Sequence, residues 1–294
     1  MNECSFKITT TFIIKFIGIP GNFMIIYIYT RENFRKVPMF RYFIVSTLFE
    51  TINLLLYWPL ISSSINSNSL FCKLSQYLSY LVSLNISWIG VLVSIDRYLS
   101  IKYPYKFKFR SEFIYQMIFI ISILIISILI NIPIAHYYSS YNNTCDIKDE
   151  KISLKINIID LLVSTVIPFI IMILSSALIG SYLIKNKMKF KDKTLDKEKQ
   201  LIKILFSMDI FFFICYSPYS VYAILEAKNN IDDSSKSYYE KLYLFVNFFL
   251  LIYCSFGFFM HLICNIQFRK YFFTMAGVNK ETDRKEIQHE NTVL

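Results

Sequence analysis

The residues that could do chemistry in this sequence are charged side chains inside or at the edge of long apolar runs. Asp96 and Arg97 directly follow the uncharged run YLVSLNISWIGVLVSI, and Lys15, Glu50 and Asp209 interrupt other apolar runs. In an apolar solvent a charged side chain must pair with another group, face a cavity or reach the interface with water. We therefore expect ion pairs, buried hydrogen-bonded acids or ligand contacts at these positions.

Catalytic and metal-binding patterns are missing from the sequence. The three histidines, His136, His261 and His289, are scattered and lack the paired spacing of metal ligands. Neither a nucleophile elbow nor a phosphate-binding loop is present. We expect a protein without enzymatic activity, metal ion or cofactor.

The composition indicates which solvent surrounds these charges. Of 294 residues, 55% are hydrophobic and 18% are charged, which gives too little polar surface for a soluble domain of this length. The net charge of +10 is not gathered in a large basic tail, so nucleic acid is not an expected partner. A membrane protein with several spans and its excess Lys and Arg on one side explains both properties.

Seven segments reach the roughly 20 mostly apolar residues that a membrane helix needs. The first segment is interpreted as a spanning helix rather than a signal peptide, because it contains Lys15 and lacks a small-residue cleavage site. Buried helices of a soluble protein are the alternative, which seven successive segments with few internal charges disfavour. We name these segments spans one to seven, at residues 10–29, 38–61, 71–100, 112–136, 156–184, 200–226 and 240–264.

Basic residues set the orientation of the spans. They are concentrated after spans one, three and five, most densely from Lys185 through Lys203. The positive-inside rule then places residues 1–9 outside and the C-terminus in the cytoplasm of a multi-pass protein of the plasma membrane. After the seven-span domain (10–264), residues 265–294 contain NIQFRKYFFTMAG, which predicts a short amphipathic helix in the inner interface, and a polar tail predicted to be disordered.

The outer segments contain the features of an oxidising compartment. Cys72 falls at the outer end of span three and Cys145 in the loop between spans four and five, where a bridge between them would pin the loop over the bundle. Cys4 is the odd outer cysteine, either free or paired with another chain. Asn142 begins the sequence Asn-Asn-Thr, a glycosylation sequon on the same outer loop.

Several motifs stand in the spans where the rhodopsin-like G-protein-coupled receptors carry theirs. The sequence resembles that family over nearly its whole length, and we identify it as a divergent member of the invertebrate peptide-receptor type. The resemblance implies an all-α bundle of seven transmembrane helices with a short amphipathic eighth helix. It depends on Gly21-Asn22, Cys72, Asp96-Arg97-Tyr98, Pro168, Phe212, Cys215-Tyr216-Ser217-Pro218 and Phe268-Arg269.

The sequence departs from the family pattern at positions of known importance to the family. Glu50 stands where span two carries Asp, and Gly257 through His261 replace the Asn-Pro-x-x-Tyr motif of span seven. Ile123 replaces the Trp of span four, and Ser176 replaces the Tyr of span five that packs toward Arg97. With Asn replaced by Gly257, we favour a structural polar cluster of Asn22 and a protonated Glu50 over the family's sodium site.

A ligand pocket is expected where the outer halves of spans three, five, six and seven converge. Ser79 occupies the position where amine receptors carry an Asp, and Leu251 the position of the retinal-binding Lys, so the resemblance disfavours both ligand types. Outer acids such as Asp160 and Glu226 suit a peptide better than a lipid, although each Tyr could simply pack between helices. The predicted lining is Gln76, Ser79, Tyr80, Ser83, Asp160, Tyr216, Tyr219, Tyr243 and Asn247.

The function that the resemblance implies is transduction of an extracellular ligand, a neuropeptide, to a heterotrimeric G protein. In that reading Asp96, Arg97 and Tyr98 couple to the G protein, and span six bends at Pro218. A constitutively active or decoy receptor is the first alternative, because the foot of span seven is altered. A membrane transporter is the second, and an odd number of spans with only 6 glycines disfavours it.

Arg97 has a second possible partner besides Asp96. Glu198 lies 20 residues before Pro218, where the family often places an acid that holds the arginine in the inactive state. If this contact exists, Glu198→Gln should raise basal G-protein signalling, because it removes the charge that restrains span six. Asp196→Asn on the same segment is the control, and basal signalling that is equal in Glu198→Gln and the unmodified protein would refute the contact.

Overall fold

The structure is a computed structural model that describes residues 3–31, 34, 37–61, 69–103, 106, 112–141, 144–185, 192–228 and 233–277. Seven of its helices are long and apolar enough to cross a membrane. This confirms the predicted all-α bundle and makes the chain a multi-pass membrane protein. The described helices are Glu3–Tyr29, Pro38–Ile61, Ser69–Lys102, Phe113–Ile130, Ile132–Tyr137, Glu150–Asp160, Ile167–Lys185, Asp192–Lys228, Asp233–Cys264 and Ile266–Met275, with a π-helical turn at Leu161–Val166.

Four spans begin earlier than the apolar segments that predict them. Spans one, five, six and seven start at Glu3, Glu150, Asp192 and Asp233, between six and eight residues before the predicted positions. Hydropathy detects only the part of a helix that is in hydrocarbon, whereas the backbone hydrogen bonds continue through polar residues at the ends. The segment before span one, predicted as a separate N-terminus, is therefore helical from Glu3.

Two spans are irregular, and each irregularity lies beside a proline. Span four is interrupted at Asn131, and a short helix with Pro133 in its first turn continues it. Span five contains the π-helical turn just before Pro168. Because the proline ring collides with the carbonyl four residues earlier, a wider turn relieves the collision without ending the helix. The backbone N–H of Ile167 accordingly bonds to the carbonyl of Leu162.

Span three is the central helix of the bundle. In its most apolar window 61% of the residues are buried, against 22% in span four. It packs against spans two, four and five, while span seven packs between spans one and six. The outward face of span four is covered by large apolar side chains such as Ile125 and Leu129, both more than half exposed in the bare protein. Such a face is stable in lipid, where no burial is needed.

A β-hairpin covers one end of the bundle, which we call the outer end. Strand β1 (Tyr138–Tyr141) pairs antiparallel with strand β2 (Thr144–Ile147). Cys145 of β2 forms a disulfide with Cys72 at the start of span three, with 5.6 Å between their Cα atoms. The bridge and a small apolar cluster that includes Ile134 and Ile147 hold the hairpin over span three. The predicted pairing of the two cysteines is present.

The inner end of the bundle is closed by the helix Ile266–Met275. Asn265 caps it, since its Oδ1 accepts a hydrogen bond from the backbone N–H of Phe268 at 3.1 Å. Phe268 is fully buried, while Arg269 and Lys270 are exposed. This is the amphipathic helix that the sequence predicts. The tail predicted to be disordered begins at 278 and lies outside the described residues.

The close contact between spans one and seven depends on a missing side chain. A Cβ placed on Gly18 would lie 2.3 Å from Oγ and 2.9 Å from Cα of Ser255. Helices in membranes associate mainly through such close packing, because lipid provides no hydrophobic driving force between them. Gly18 therefore sets the distance between these two helices.

Gly18→Ala should lower the stability of the protein by about 1–3 kcal/mol, since the new methyl group forces the two backbones apart. A thermal unfolding assay in detergent with a thiol-reactive dye would measure the change as a lower melting temperature. Gly180→Ala is the matched control, because nothing lies within 4 Å of a Cβ at that helical position. Equal melting temperatures for the two variants would contradict the packing role of Gly18.

Candidate functional site

A cavity at the outer end of the bundle is lined by residues of spans two, three, five, six and seven. Its empty volume is about 720 Å³. All nine residues predicted to line a ligand pocket are on its wall, together with Leu250 and Leu251. The side chains missed by the sequence interpretation are Asn53, Ser164, Thr165, Ser220 and Leu250. We call this space the outer cavity.

The acidic side of the outer cavity is built by the irregular part of span five. Asp160 ends the first helical segment of the span and accepts a hydrogen bond from Ser164 Oγ at 2.7 Å. Trp88 of span three donates its indole N–H to the carbonyl of Val163 at 3.1 Å, inside the π-helical turn. The turn shifts the phase of the helix, which is why regular helical spacing could not show that Ser164 and Thr165 also line the cavity.

Hydrogen bonds join spans five and six beside the outer cavity. Asn157 donates to the carbonyl of Ala223 at 3.0 Å, and the hydroxyls of Thr165 and Ser220 are 3.2 Å apart. A displacement of span five at this level would therefore also move span six.

The hairpin reaches the same wall. Tyr138 of β1 places its hydroxyl 3.1 Å from that of Tyr80, which also donates to Asn157 Oδ1 at 3.4 Å. Glu226, the second outer acid named by the sequence interpretation, accepts from Tyr222 at 2.7 Å and does not line the cavity.

Aromatic side chains separate the outer cavity from a second cavity deeper in the bundle. Tyr216 lines the outer cavity and stacks on Phe212, with ring centroids 4.5 Å apart, and Phe212 lines the deeper one. Tyr253 of span seven packs edge-on against Tyr216 at 5.2 Å. Both rings of span six lie within two turns of Pro218, so a bend there would move this partition.

The deeper space, which we call the inner cavity, brings polar residues of four spans together. Glu50, Ser94, Asp209 and His261 line it, and its empty volume is about 560 Å³. Ser46 donates to Glu50 Oε1 at 3.0 Å, and a Cβ at Gly257 would lie 3.5 Å from Glu50 Oε2. The longer acid thus extends into space that a side chain at 257 would fill.

Asn22 lies near the inner cavity but is not hydrogen-bonded to Glu50. Its side-chain amide donates to Thr51 Oγ1 at 3.2 Å and to the carbonyl of Cys254 at 3.1 Å. Asn22 therefore ties span one to spans two and seven, and the predicted cluster of Asn22 with Glu50 contains no direct bond between the two side chains.

Asp209 has a partner in span five that the sequence interpretation missed. Ser176 Oγ donates to Asp209 Oδ2 at 2.8 Å, and both side chains are buried. The sequence shows Ser176 only as the replacement of a tyrosine and indicates no role for Asp209. Their separation of 33 residues gives no signal in a single sequence, because it reflects the packing of two helices.

The pair Asp96 and Arg97 is buried at the inner end of span three. Arg97 Nη2 lies 3.1 Å from Asp96 Oδ2, and the two side chains are 7% and 4% exposed. Arg97 Nε is buried without a hydrogen-bond partner in the described part of the chain. Tyr98 accepts a hydrogen bond from Lys102 at 2.6 Å. Glu198, the second predicted partner of Arg97, is in the part of span six whose side chains lie outside the described residues.

The foot of span seven is bonded to span one. His261 Nδ1 and the Tyr29 hydroxyl are 2.8 Å apart, and the Asn265 side-chain amide donates to the same hydroxyl at 3.5 Å. The fully buried Tyr29 ring stacks on Phe40 with centroids 4.6 Å apart and packs edge-on against Phe268. Where the family carries a tyrosine, this chain has a histidine held by a tyrosine of another span.

No group of three or more His, Cys, Asp or Glu side chains that could hold a metal ion occurs among the described residues. Cys215, Cys254 and Cys264 are free and buried. The predicted glycosylation site Asn142 lies outside the described residues. The arrangement provides an outer cavity with a polar and aromatic wall, an internal polar cluster and a buried ion pair.

Comparison with known proteins agrees with this geometry. The family model described as 7 transmembrane receptor (rhodopsin family) matches residues 21–257. Over 183 residues the chain is 25% identical to human (Homo sapiens) G-protein coupled receptor 65. That alignment covers 56% of this chain and 53% of the relative, so the match spans about half of the relative's length.

Proposed function

This chain belongs to the rhodopsin family of G-protein-coupled receptors, and from that premise we propose that it transmits binding of an extracellular peptide to a heterotrimeric G protein without enzymatic activity of its own. The observation that carries the proposal is the outer cavity, which joins the four spans expected to hold a ligand. Its polar, aromatic wall suits a peptide side chain or terminus.

The sidedness of the proposal follows from charge. Lys and Arg are concentrated after spans one, three and five. This distribution favours the cytoplasmic side of the plasma membrane for the end of the bundle where these three spans finish. The disulfide-bonded hairpin then faces the extracellular space, where disulfides persist. The outer cavity opens toward ligand, and Arg97 faces the cytoplasm.

Transmission begins at the cavity wall that spans five and six share. A ligand that draws Asp160 and Tyr216 together acts on span five through the π-helical turn and on span six at a position two residues before Pro218. The Asn157–Ala223 and Thr165–Ser220 bonds couple the two spans, and the stacked Phe212 and Tyr216 rings pass the movement inward.

The inner end responds by an outward movement of span six. The Ser176–Asp209 bond opposes that movement, because it is buried and ties span six to span five. Once span six moves, Arg97 borders a groove that can accept a helix of the G protein. Span seven contributes less movement than in other family members, since His261 and Asn265 hold its foot against Tyr29.

The function is tested by ligand-dependent dissociation of a G protein in cells that express the receptor and are screened with a neuropeptide library. An active peptide should lose at least about tenfold in potency on Asp160→Ala, because a buried charge contact is removed. Lys15→Ala is the control, since Lys15 lies in span one and does not line the outer cavity.

The altered foot of span seven favours one other candidate, a receptor that signals constitutively. A raised basal signal together with no response to any peptide would support that candidate and contradict ligand gating. Equal loss of potency in Asp160→Ala and Lys15→Ala would contradict the assignment of the pocket.

A further inference from the structure

The charge on the described wall of the outer cavity is of one sign. Among the described residues that line it, Asp160 is the only acidic side chain, and none is Lys, Arg or His. A low-dielectric cavity with one carboxylate and no neutralising cation concentrates positively charged solutes and repels anions. The field of the cavity therefore has a definite sign, whatever ligand enters it.

The Asp160 carboxylate is held in place but is not saturated. From the described residues it receives one side-chain hydrogen bond, from Ser164 to Oδ1 at 2.7 Å. That bond comes from the same helix and fixes the rotamer of the acid. Oδ2 receives no hydrogen bond from the described residues. An ammonium or guanidinium is the donor that forms the strongest hydrogen bond with such an oxygen.

The wall of the outer cavity around Asp160 is aromatic. Tyr80, Tyr219 and Tyr243 add aromatic faces around Asp160, which attract the same positive charge.

We propose that the outer cavity binds its ligand through a cationic group, an ammonium or a guanidinium, at Asp160 on span five, and rejects ligands that present a carboxylate or phosphate there. Span three provides no carboxylate counter-ion at Ser79, so the counter-ion for a cationic ligand is Asp160 of span five. That the cationic group belongs to a ligand that activates the protein rests on the proposed function. The preference for positive charge is a property of the cavity itself.

The preference is measurable without a known ligand. Ser79→Cys, in a Cys4→Ser background in membranes, is modified with a cationic trimethylammonium-ethyl methanethiosulfonate and with the anionic sulfonatoethyl reagent. The ratio of the two rates should fall by at least about fivefold when Asp160→Asn is added, since the change removes attraction of one reagent and repulsion of the other. Asp160→Glu should keep the ratio. Asn retains the acceptor for Ser164, so the helix is preserved.

Lys151→Cys on the exposed outer end of span five is the matched control, and its ratio should not respond to Asp160→Asn. The source of the cation is tested with two panels of compounds, primary arylalkylamines and amidated tripeptides with a central Lys or Arg. Each compound is tested for its ability to slow the modification of Ser79→Cys by the cationic reagent. Protection by the tripeptides alone assigns a peptide side chain, and protection by the amines assigns a small amine. Protection by neither panel, or an unchanged rate ratio in Asp160→Asn, would overturn the proposal.

The outcomes separate this inference from the proposed function. A rate ratio that depends on Asp160 in a protein that never activates a G protein would leave the cationic site standing and remove the signalling role. Ligand-driven signalling with a rate ratio independent of Asp160 would do the reverse.

Discussion

Every polar side chain between the two ends of this bundle must find its partner inside the protein, because hydrocarbon offers none. Asp96 and Arg97 meet part of this constraint as a buried pair at 3.1 Å, although Arg97 Nε has no hydrogen-bond partner in the described part of the chain. The side-chain N–H groups of Asn22 meet it by joining three spans. The same constraint makes the remaining polar groups informative. Asp160 has capacity left over, because Oδ2 receives no hydrogen bond from the described residues, and Asp160 lines the outer cavity.

The departures from the family pattern are matched to one another in space. The longer acid Glu50 faces Gly257, which has no side chain, and Ser176, smaller than tyrosine, bonds to Asp209. His261 at the foot of span seven bonds to Tyr29 of span one. Each replacement thus takes part in a buried contact between two helices. In the proposed mechanism the Tyr29–His261 bond holds the foot of span seven, whereas the Ser176–Asp209 bond opposes the movement of span six.

Sequence reasoning reached the parts of the fold that depend on composition and short-range pattern. Seven apolar segments predicted seven spans, and NIQFRKYFFTMAG predicted the terminal helix, because a bilayer imposes a length and a face on each. The nine predicted pocket residues line one cavity. The resemblance to the family places eight of them on spans three, six and seven, where regular helical spacing holds, and Asp160 on span five just before the π-helical turn. Ser164 and Thr165 were missed where that spacing fails, at the π-helical turn. The Ser176–Asp209 and Tyr29–His261 bonds were missed because they join residues far apart in the sequence.

The central claim is that span six moves while the foot of span seven stays against span one. Spin labels at Phe113 and Lys203, exposed inner-end positions of spans four and six, would report the movement of span six. Labels at Phe113 and Ile263 would report whether the foot of span seven moves. Distances are measured in nanodiscs with and without nucleotide-free heterotrimeric G protein. The account predicts a longer Phe113–Lys203 distance and an unchanged Phe113–Ile263 distance. An unchanged Phe113–Lys203 distance, or an equal shift in both, would contradict it.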